Sequence, residues 1–226
     1  MDVFNWIAAW AADWSGALTQ MAKGSLVTMQ LFGITLVLSI PFGFALTLAY
    51  MSKNKFVQKV TGFYILVMRG TPLLLQVFFM YYGLPYLPYI GPYLKFDRFT
   101  ACSIAFVLNY AAYFAEIFRG GLLAVDKGQF EAAKVLGLNR FRTLTKVVIP
   151  QMVRVALPSI SNEAIILVKD TALAAAISVI DLMHVTKGIV SREANIFPFA
   201  IAAVFYLVMS YVLTVIFKQL EKKYAF

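Results

Sequence analysis

The run from Gly24 to Ser52 contains no charged residue, and this feature limits the possible fold more than any other. A helix needs about 20 mostly apolar residues to cross the hydrocarbon core of a bilayer, so this run is long enough to span one. Composition agrees, because 61% of the residues are hydrophobic and only 14% are charged. A soluble domain of this composition would lack the polar residues to cover its surface. The sequence therefore predicts an integral membrane protein.

Four further apolar runs follow, and with the first they predict five spanning helices. Backbone polar groups inside a bilayer must bond to one another, and the runs lack the alternation of barrel strands, so helices are expected. The second run is interrupted by Arg69, and the fourth contains Glu163, Lys169 and Asp170. The five predicted spans are Gly24–Ser52, Val60–Leu94, Phe99–Ala115, Val155–Ile180 and Ala194–Phe217.

The basic residues predict the orientation of these spans. A net charge of +9 would suggest nucleic acid as a partner of a soluble protein, but in a membrane protein the placement of the charges matters more. Cytoplasmic segments are enriched in Lys and Arg, which places the N-terminus outside and the C-terminus inside. The residues assigned to the cytoplasmic side are Lys53, Lys55, Lys59, Arg119, Lys127, Lys134, Arg140, Arg142, Lys146, Arg154, Lys218, Lys222 and Lys223.

Residues 1–20 are predicted to form a short helix on the outer membrane surface. Trp6, Trp10 and Trp14 lie four residues apart, so they share one helix face, and aromatic side chains favour the headgroup region. A cleavable signal would require a basic segment before an apolar run, and these residues contain no such segment. Residues 1–226 are interpreted as one transmembrane domain.

Residues 124–150 form the most informative predicted loop, on the cytoplasmic side. Two short amphipathic helices fit it, with Gly137 allowing a left-handed end to the first and Pro150 starting the next element. Apolar faces surrounded by basic residues are typical of a docking element for a partner. The first face comprises Phe130, Ala133 and Leu136, and the second comprises Phe141, Leu144 and Val148.

This loop resembles the EAA loop of ABC importer permeases. Three residues separate the triplet Glu131-Ala132-Ala133 from Gly137, and Ile149-Pro150 closes the loop, as in that family. Three further segments resemble permeases of the histidine, arginine and glutamine uptake type. They are Arg69-Gly70-Thr71-Pro72 with Gln76; Ala112-Tyr113, Glu116 and Arg119-Gly120-Gly121 leading into Gly128-Gln129; and Leu157-Pro158 followed by Asn162-Glu163 and Lys169-Asp170-Thr171.

The resemblance implies a type I ABC importer fold in a bacterial inner or plasma membrane. It also implies a second permease subunit, identical or different, two cytoplasmic ATPase subunits and an extracytoplasmic substrate-binding protein. The loop around Glu131 and Gly137 would then seat in the ATPase. This chain lacks the glycine-rich phosphate loop of an ATPase, so ATP and Mg²⁺ are expected on the partner subunit and no enzyme activity here. No metal, bound cofactor or nucleic acid is expected, since His184 and Cys102 are single residues without ligand spacing.

The intramembrane charges are expected to face a partner or a wet cavity, because each costs about 2.5–3.5 kcal/mol at a helix centre. One interpretation is a charge network in which Lys169 and Asp170 pair with Arg69 or with the backbone and hold the helices together. Glu163 has no basic residue three or four positions away, so a role in binding the substrate's ammonium group is also open.

Four uncharged polar residues in the same region are weaker candidates for substrate binding. Asn162, Thr71, Gln76 and Asn109 could bind the substrate's carboxylate or form helix–helix hydrogen bonds. Glu163 favours basic amino acids as the cargo, with neutral polar amino acids or cystine as the alternative.

Two other classes of protein would show different sequence features. A secondary transporter that works without ATP would show inverted repeats and no docking loop. An intramembrane enzyme would need a nucleophile with a base, or metal ligands, in the spans. The sequence shows neither set of features.

Overall fold

The computed structural model describes residues 3–224, with side chains described from residue 14 onward. All regular elements in this part of the chain are helical, which confirms the predicted all-helical class. The helices are α1 Val3–Tyr50, α2 Lys55–Gly70, α3 Leu73–Phe78, α4 Arg98–Leu123, α5 Lys127–Val135, α6 Arg140–Thr143, α7 Ile149–Asp170, α8 Leu182–Glu193 and α9 Phe197–Tyr224.

Three helices are long and apolar enough to cross a membrane within the described residues: α1 from Trp14 onward, α4 and α9. The bent pair α2–α3 makes a fourth if it counts as one span. Helix α7 has 22 residues, or about 33 Å at 1.5 Å per residue. Its length is sufficient, but its charged residues lower its hydropathy.

The helix α1 runs without interruption from Val3 to Tyr50. The predicted helix in residues 1–20 is therefore continuous with the first span rather than a separate element, and its location on the outer surface stays a prediction. The side chains of Trp6 and Trp10 lie outside those described. Trp14 is buried and packs edge-to-face against Phe197, with ring centroids 5.5 Å apart.

The second predicted span is broken rather than straight. Helix α2 ends at Gly70 and α3 begins at Leu73, with a bend of 105° between them. Pro72 lacks an N–H and disfavours helical backbone at the residue before it, and Thr71 is accordingly extended. Beyond α3 the chain forms a π turn and two short 3-10 turns before α4. A single helix over Val60–Leu94 is thus wrong.

Helix α4 forms the centre of the core. Phe106, Tyr110, Phe114 and Phe118 are buried and follow one another at four-residue spacing, with successive ring centroids 6.3–6.4 Å apart. Helix α1 packs closely against this row because Gly43 has no side chain. A Cβ there would lie 2.7 Å from the Cβ of Phe114.

A buried carboxyl group caps α8 at the point where this helix meets α1. Asp181 precedes α8, and its Oδ1 accepts a hydrogen bond from the backbone N–H of His184 at 2.8 Å. The backbone N–H of Leu182 donates to the hydroxyl of Thr28 in α1 at 3.2 Å. Asp181 is fully buried, and its Oδ2 has no hydrogen-bond partner among the described residues.

Candidate functional site

The candidate site is a cavity of about 610 Å³ at the break between α2 and α3. Its volume is in the range of small-molecule sites, about 300–1,000 Å³. Helices α4 and α7 complete the wall. The lining residues are Arg69, Gly70, Thr71, Pro72, Leu73, Asn109, Tyr110, Tyr113, Glu163, Ile166, Asp170 and Leu173.

The α7 wall of this cavity is acidic. Glu163 and Asp170 are both half-buried and lie two helical turns apart, so they share one face. The hydroxyl of Tyr110 donates to Oδ2 of Asp170 at 2.8 Å. The wall therefore presents two carboxyl groups, of which Asp170 is held in place by α4.

The α2 wall is basic. The guanidinium carbon of Arg69 lies 5.3 Å from the ring centroid of Tyr113, a cation–π contact. No carboxylate lies within 4.0 Å of Arg69 in the described part of the chain, so it does not form the ion pair that the sequence allowed with Asp170. Lys169 is exposed and lies outside the cavity wall.

Uncharged polar side chains hold the broken helix together. The amide nitrogen of Gln76 donates to the carbonyl of Met68 at 2.9 Å and to the hydroxyl of Thr71 at 2.8 Å. Asn109 donates to the same Met68 carbonyl at 2.8 Å and to Oε1 of Gln76 at 3.1 Å. These bonds satisfy a carbonyl near the end of α2 that has no intrahelical partner.

The four weaker candidates therefore differ in position. Thr71 and Asn109 lie in the cavity wall, whereas Gln76 lies behind it. Asn162 is exposed and does not line this cavity, although it neighbours Glu163 in sequence.

Sequence reasoning missed the two tyrosines of the wall. Tyr110 and Tyr113 lie within an apolar run, where aromatic residues are usually core. Tyr113 belongs to a segment that resembles the uptake permeases, and this was the available signal. Only the fold shows that one binds Asp170 and the other Arg69.

A second feature lies in residues 124–150, between α4 and α7. Helix α5 ends in a Schellman motif, in which the N–H of Leu138 donates to the carbonyl of Ala133 and that of Gly137 to Lys134, both at 3.0 Å. Gly137 has φ +71°, the left-handed conformation expected from the sequence. Exposed apolar side chains surround this turn: Phe130, Val135, Leu136 and Phe141.

The rest of the loop meets α7 without a break. Glu131 and Ala132 are exposed, whereas Ala133 is buried. Helix α6 continues through a π turn over residues 144–148 into Ile149 and Pro150, which start α7. Pro150 therefore lies in the first turn of the following element, as predicted, but no break separates that element from the second predicted amphipathic helix. Its missing N–H is instead accommodated by the π turn, where Ile149 donates to the carbonyl of Leu144.

No group of three His, Cys, Asp or Glu side chains could hold a metal ion in the part of the chain that the structure describes. Cys102 is buried in α4, and His184 follows the cap of α8.

A charged cavity among helices that are long and apolar enough to cross a membrane fits the class of membrane transport subunits. The chain belongs to the family of binding-protein-dependent transport system inner membrane components, whose pattern matches residues 39–226. It is thus a multi-pass permease subunit of the ABC type.

Similar proteins agree. The octopine transport system permease protein of Rhizobium radiobacter is 36% identical over 207 residues, covering 89% of this chain and 84% of that protein. A putative glutamine transport system permease protein of Rickettsia conorii is 38% identical over 204 residues, covering 90% and 92%. These matches do not support the alternative of an ATP-independent transporter.

Solved structures show the same fold. The crystal structure of an amino acid ABC transporter with histidines has a TM-score of 0.82 and 31% identity, covering 99% of both chains. The MetNI methionine ABC transporter in an inward-facing conformation has a TM-score of 0.70 at 15% identity, covering 93% of this chain and 95% of that one. The second likeness concerns the fold alone.

Proposed function

We propose that this chain is the permease subunit of an ATP-driven importer that moves amino acids into the cytoplasm. The cavity at the α2–α3 break carries the proposal, because it places Arg69 opposite Glu163 and Asp170. A zwitterionic amino acid has a carboxylate that can bind Arg69 and an ammonium group that can bind Glu163 or Asp170. The names of the relatives support the same class of cargo.

The proposed assembly has two permeases, identical or different, each with five spans, an outer N-terminus and an inner C-terminus. Helix α7 is the fourth span in chain order, and its residues Glu163 and Asp170 face the cavity instead of lipid. Two ATPase subunits bind ATP and Mg²⁺ and contact the exposed apolar residues around Gly137. A binding protein delivers the substrate to the outer side of the permeases. ATP binding then shifts the population from inward-facing to outward-facing states.

Basic amino acids such as arginine, lysine and histidine are the favoured cargo. Two carboxyl groups and one guanidinium line the cavity, so a second positive charge on the substrate would find a partner. Neutral polar amino acids or cystine form the second candidate class, which the glutamine permeases among the relatives favour.

Glu163→Gln tests both points in the complete importer reconstituted in vesicles. We expect arginine uptake to fall about 10- to 100-fold, the effect of losing one charged hydrogen bond, with a smaller loss for glutamine. Glu193→Gln, an exposed carboxylate near the end of α8, is the matched control. Unchanged uptake of arginine and histidine would remove Glu163 from the substrate site.

A further inference from the structure

Two more cavities follow the first toward the predicted cytoplasmic end. One of about 380 Å³ shares Arg69 and Gly70 with the cavity at the helix break. The next, of about 350 Å³, shares Tyr50 with the second and reaches Gln58 and Arg119. Shared wall residues therefore make the three cavities neighbours in a series along α2, from the helix break to the basic end of that helix.

The series runs between two helices that face each other. On α2 the wall residues Gln58, Gly62, Ile65 and Arg69 recur every three or four positions, which places them on one face. Gly62 lets the ring of Tyr50 pack directly against α2, because a Cβ there would lie only 2.8 Å from that ring. The second and third cavities thus lie along one face of α2 and form a groove that Tyr50 lines.

The opposite wall, on α4, carries a pair of charges that the substrate cavity does not use. Arg119 donates through Nη2 and Nε to the same oxygen of Glu116, at 2.6 and 3.0 Å, which leaves the other carboxylate oxygen without a bond from Arg119. Arg119 also lies 5.9 Å from the ring centroid of Tyr50. Glu116 lines the second cavity and Arg119 the third.

The ion pair between Glu116 and Arg119 contributes little to the stability of the fold. Its side chains are 20% and 36% exposed, and partly exposed ion pairs contribute about 0–1 kcal/mol. Its partners lie within one helix, three residues apart, so the ion pair itself joins no two elements, and Arg119 reaches α1 through its contact with Tyr50. Glu116 and Arg119 line successive cavities and carry opposite charges, so together they can bind a ligand that carries both charges.

We propose that these cavities are the release route by which the amino acid leaves the central cavity for the cytoplasm, with the Glu116–Arg119 pair as a release subsite. The inference rests on the proposed function. The substrate's ammonium group exchanges for Arg119 at Glu116, and its carboxylate exchanges for Glu116 at Arg119. Each charge keeps a partner throughout, so the substrate crosses the inner half of the protein without an unpaired charge.

Inhibition by substrate on the cytoplasmic side tests the subsite. In the complete importer in vesicles, we expect Glu116→Gln and Arg119→Gln each to raise the half-inhibiting cytoplasmic concentration of amino acid about tenfold. The KM for the loaded binding protein should stay unchanged. An ion pair with only a structural role would lower the uptake rate or the unfolding temperature and leave that concentration unmoved, which would overturn the subsite.

Blocking the groove tests the route. In a Cys102→Ala background, Leu66→Cys places a thiol in the wall of the second cavity, and Phe63→Cys places one on the same helix outside it. The two parent side chains are 69% and 67% exposed in the isolated chain, so the two positions are matched in exposure. A bulky thiol reagent should stop uptake only at position 66, and substrate should slow the labelling there.

The two hypotheses fail differently. If both modified proteins transport at the same rate, the route is overturned although amino-acid import stands. If the unmodified complete importer takes up no amino acid, the proposed function itself is overturned.

Discussion

Asp181 is the buried carboxyl with an unmatched oxygen, and it lies in the connection before α8, outside the spanning helices. Burial raises the pKa of this carboxyl from 3.8 to about 6, although the backbone N–H groups of α8 and the charge of Lys187 oppose the shift. The ionised form is therefore disfavoured in the folded state. The stability contributed by the neutral form is complete below about pH 3.8 and is lost as the pH rises through about 6.

Replacing Asp181 by Asn should remove this pH dependence. The amide oxygen can still accept the bond from His184, and no charge is buried at neutral pH. We expect the variant to be more stable than the parent at pH 7.5 by up to about 3 kcal/mol, and the difference to vanish below pH 4. Thermal unfolding in detergent at a series of pH values measures it. A difference that does not vary with pH would contradict this account.

Single residues differ in how far the sequence reveals their position. Glu163 could be singled out from the sequence because a charge within an apolar run is costly unless it faces a partner or a wet cavity. The structure places it in the cavity wall. Gln76 and Asn109 could be marked only as polar, because their shared acceptor, Met68, lies 8 and 41 residues away along the chain. The tyrosines of the wall could not be separated from core aromatics without the fold.

At the level of elements, the turn after α5 depends on Gly137. Residues with a Cβ pay about 1–2 kcal/mol for its left-handed backbone, whereas Asn tolerates that conformation. We expect Gly137→Val to lose most of the stimulation of ATPase activity by loaded binding protein, and Gly137→Asn to retain it. The assay uses the complete importer with equal amounts of inserted permease.

Normal stimulation in Gly137→Val would contradict a coupling role for this turn. Equal losses in the Val and Asn variants would also contradict it, because backbone conformation would then not be the cause.

Elements with local signals were predictable, and those without were not. The end of α5 follows from one glycine, so its left-handed turn could be read from the sequence. The bend between α2 and α3 could not be distinguished from a straight span, because hydropathy averages over direction, and Pro72 alone does not fix an angle. The π turn before Pro150 has no sequence signal of its own.

For the whole molecule, the orientation follows from charge and can be tested by labelling. In a Cys102→Ala background, Ser191→Cys lies on the predicted outer side and Leu136→Cys on the inner side, and both positions are exposed. An impermeant thiol reagent should label position 191 in intact spheroplasts and position 136 only in inverted vesicles. The opposite pattern would place α5 outside and end its assignment to a cytoplasmic partner.

The bend at the end of α2 has a consequence for how cells must make this protein. Gly70, Thr71 and Pro72 are exposed in the isolated chain, and interrupted backbone is tolerated at membrane depth only when protein or water surrounds it. A solitary copy would present that backbone to fatty-acyl chains. Unequal synthesis of the companion subunits should therefore leave orphans that membrane proteases recognise and degrade.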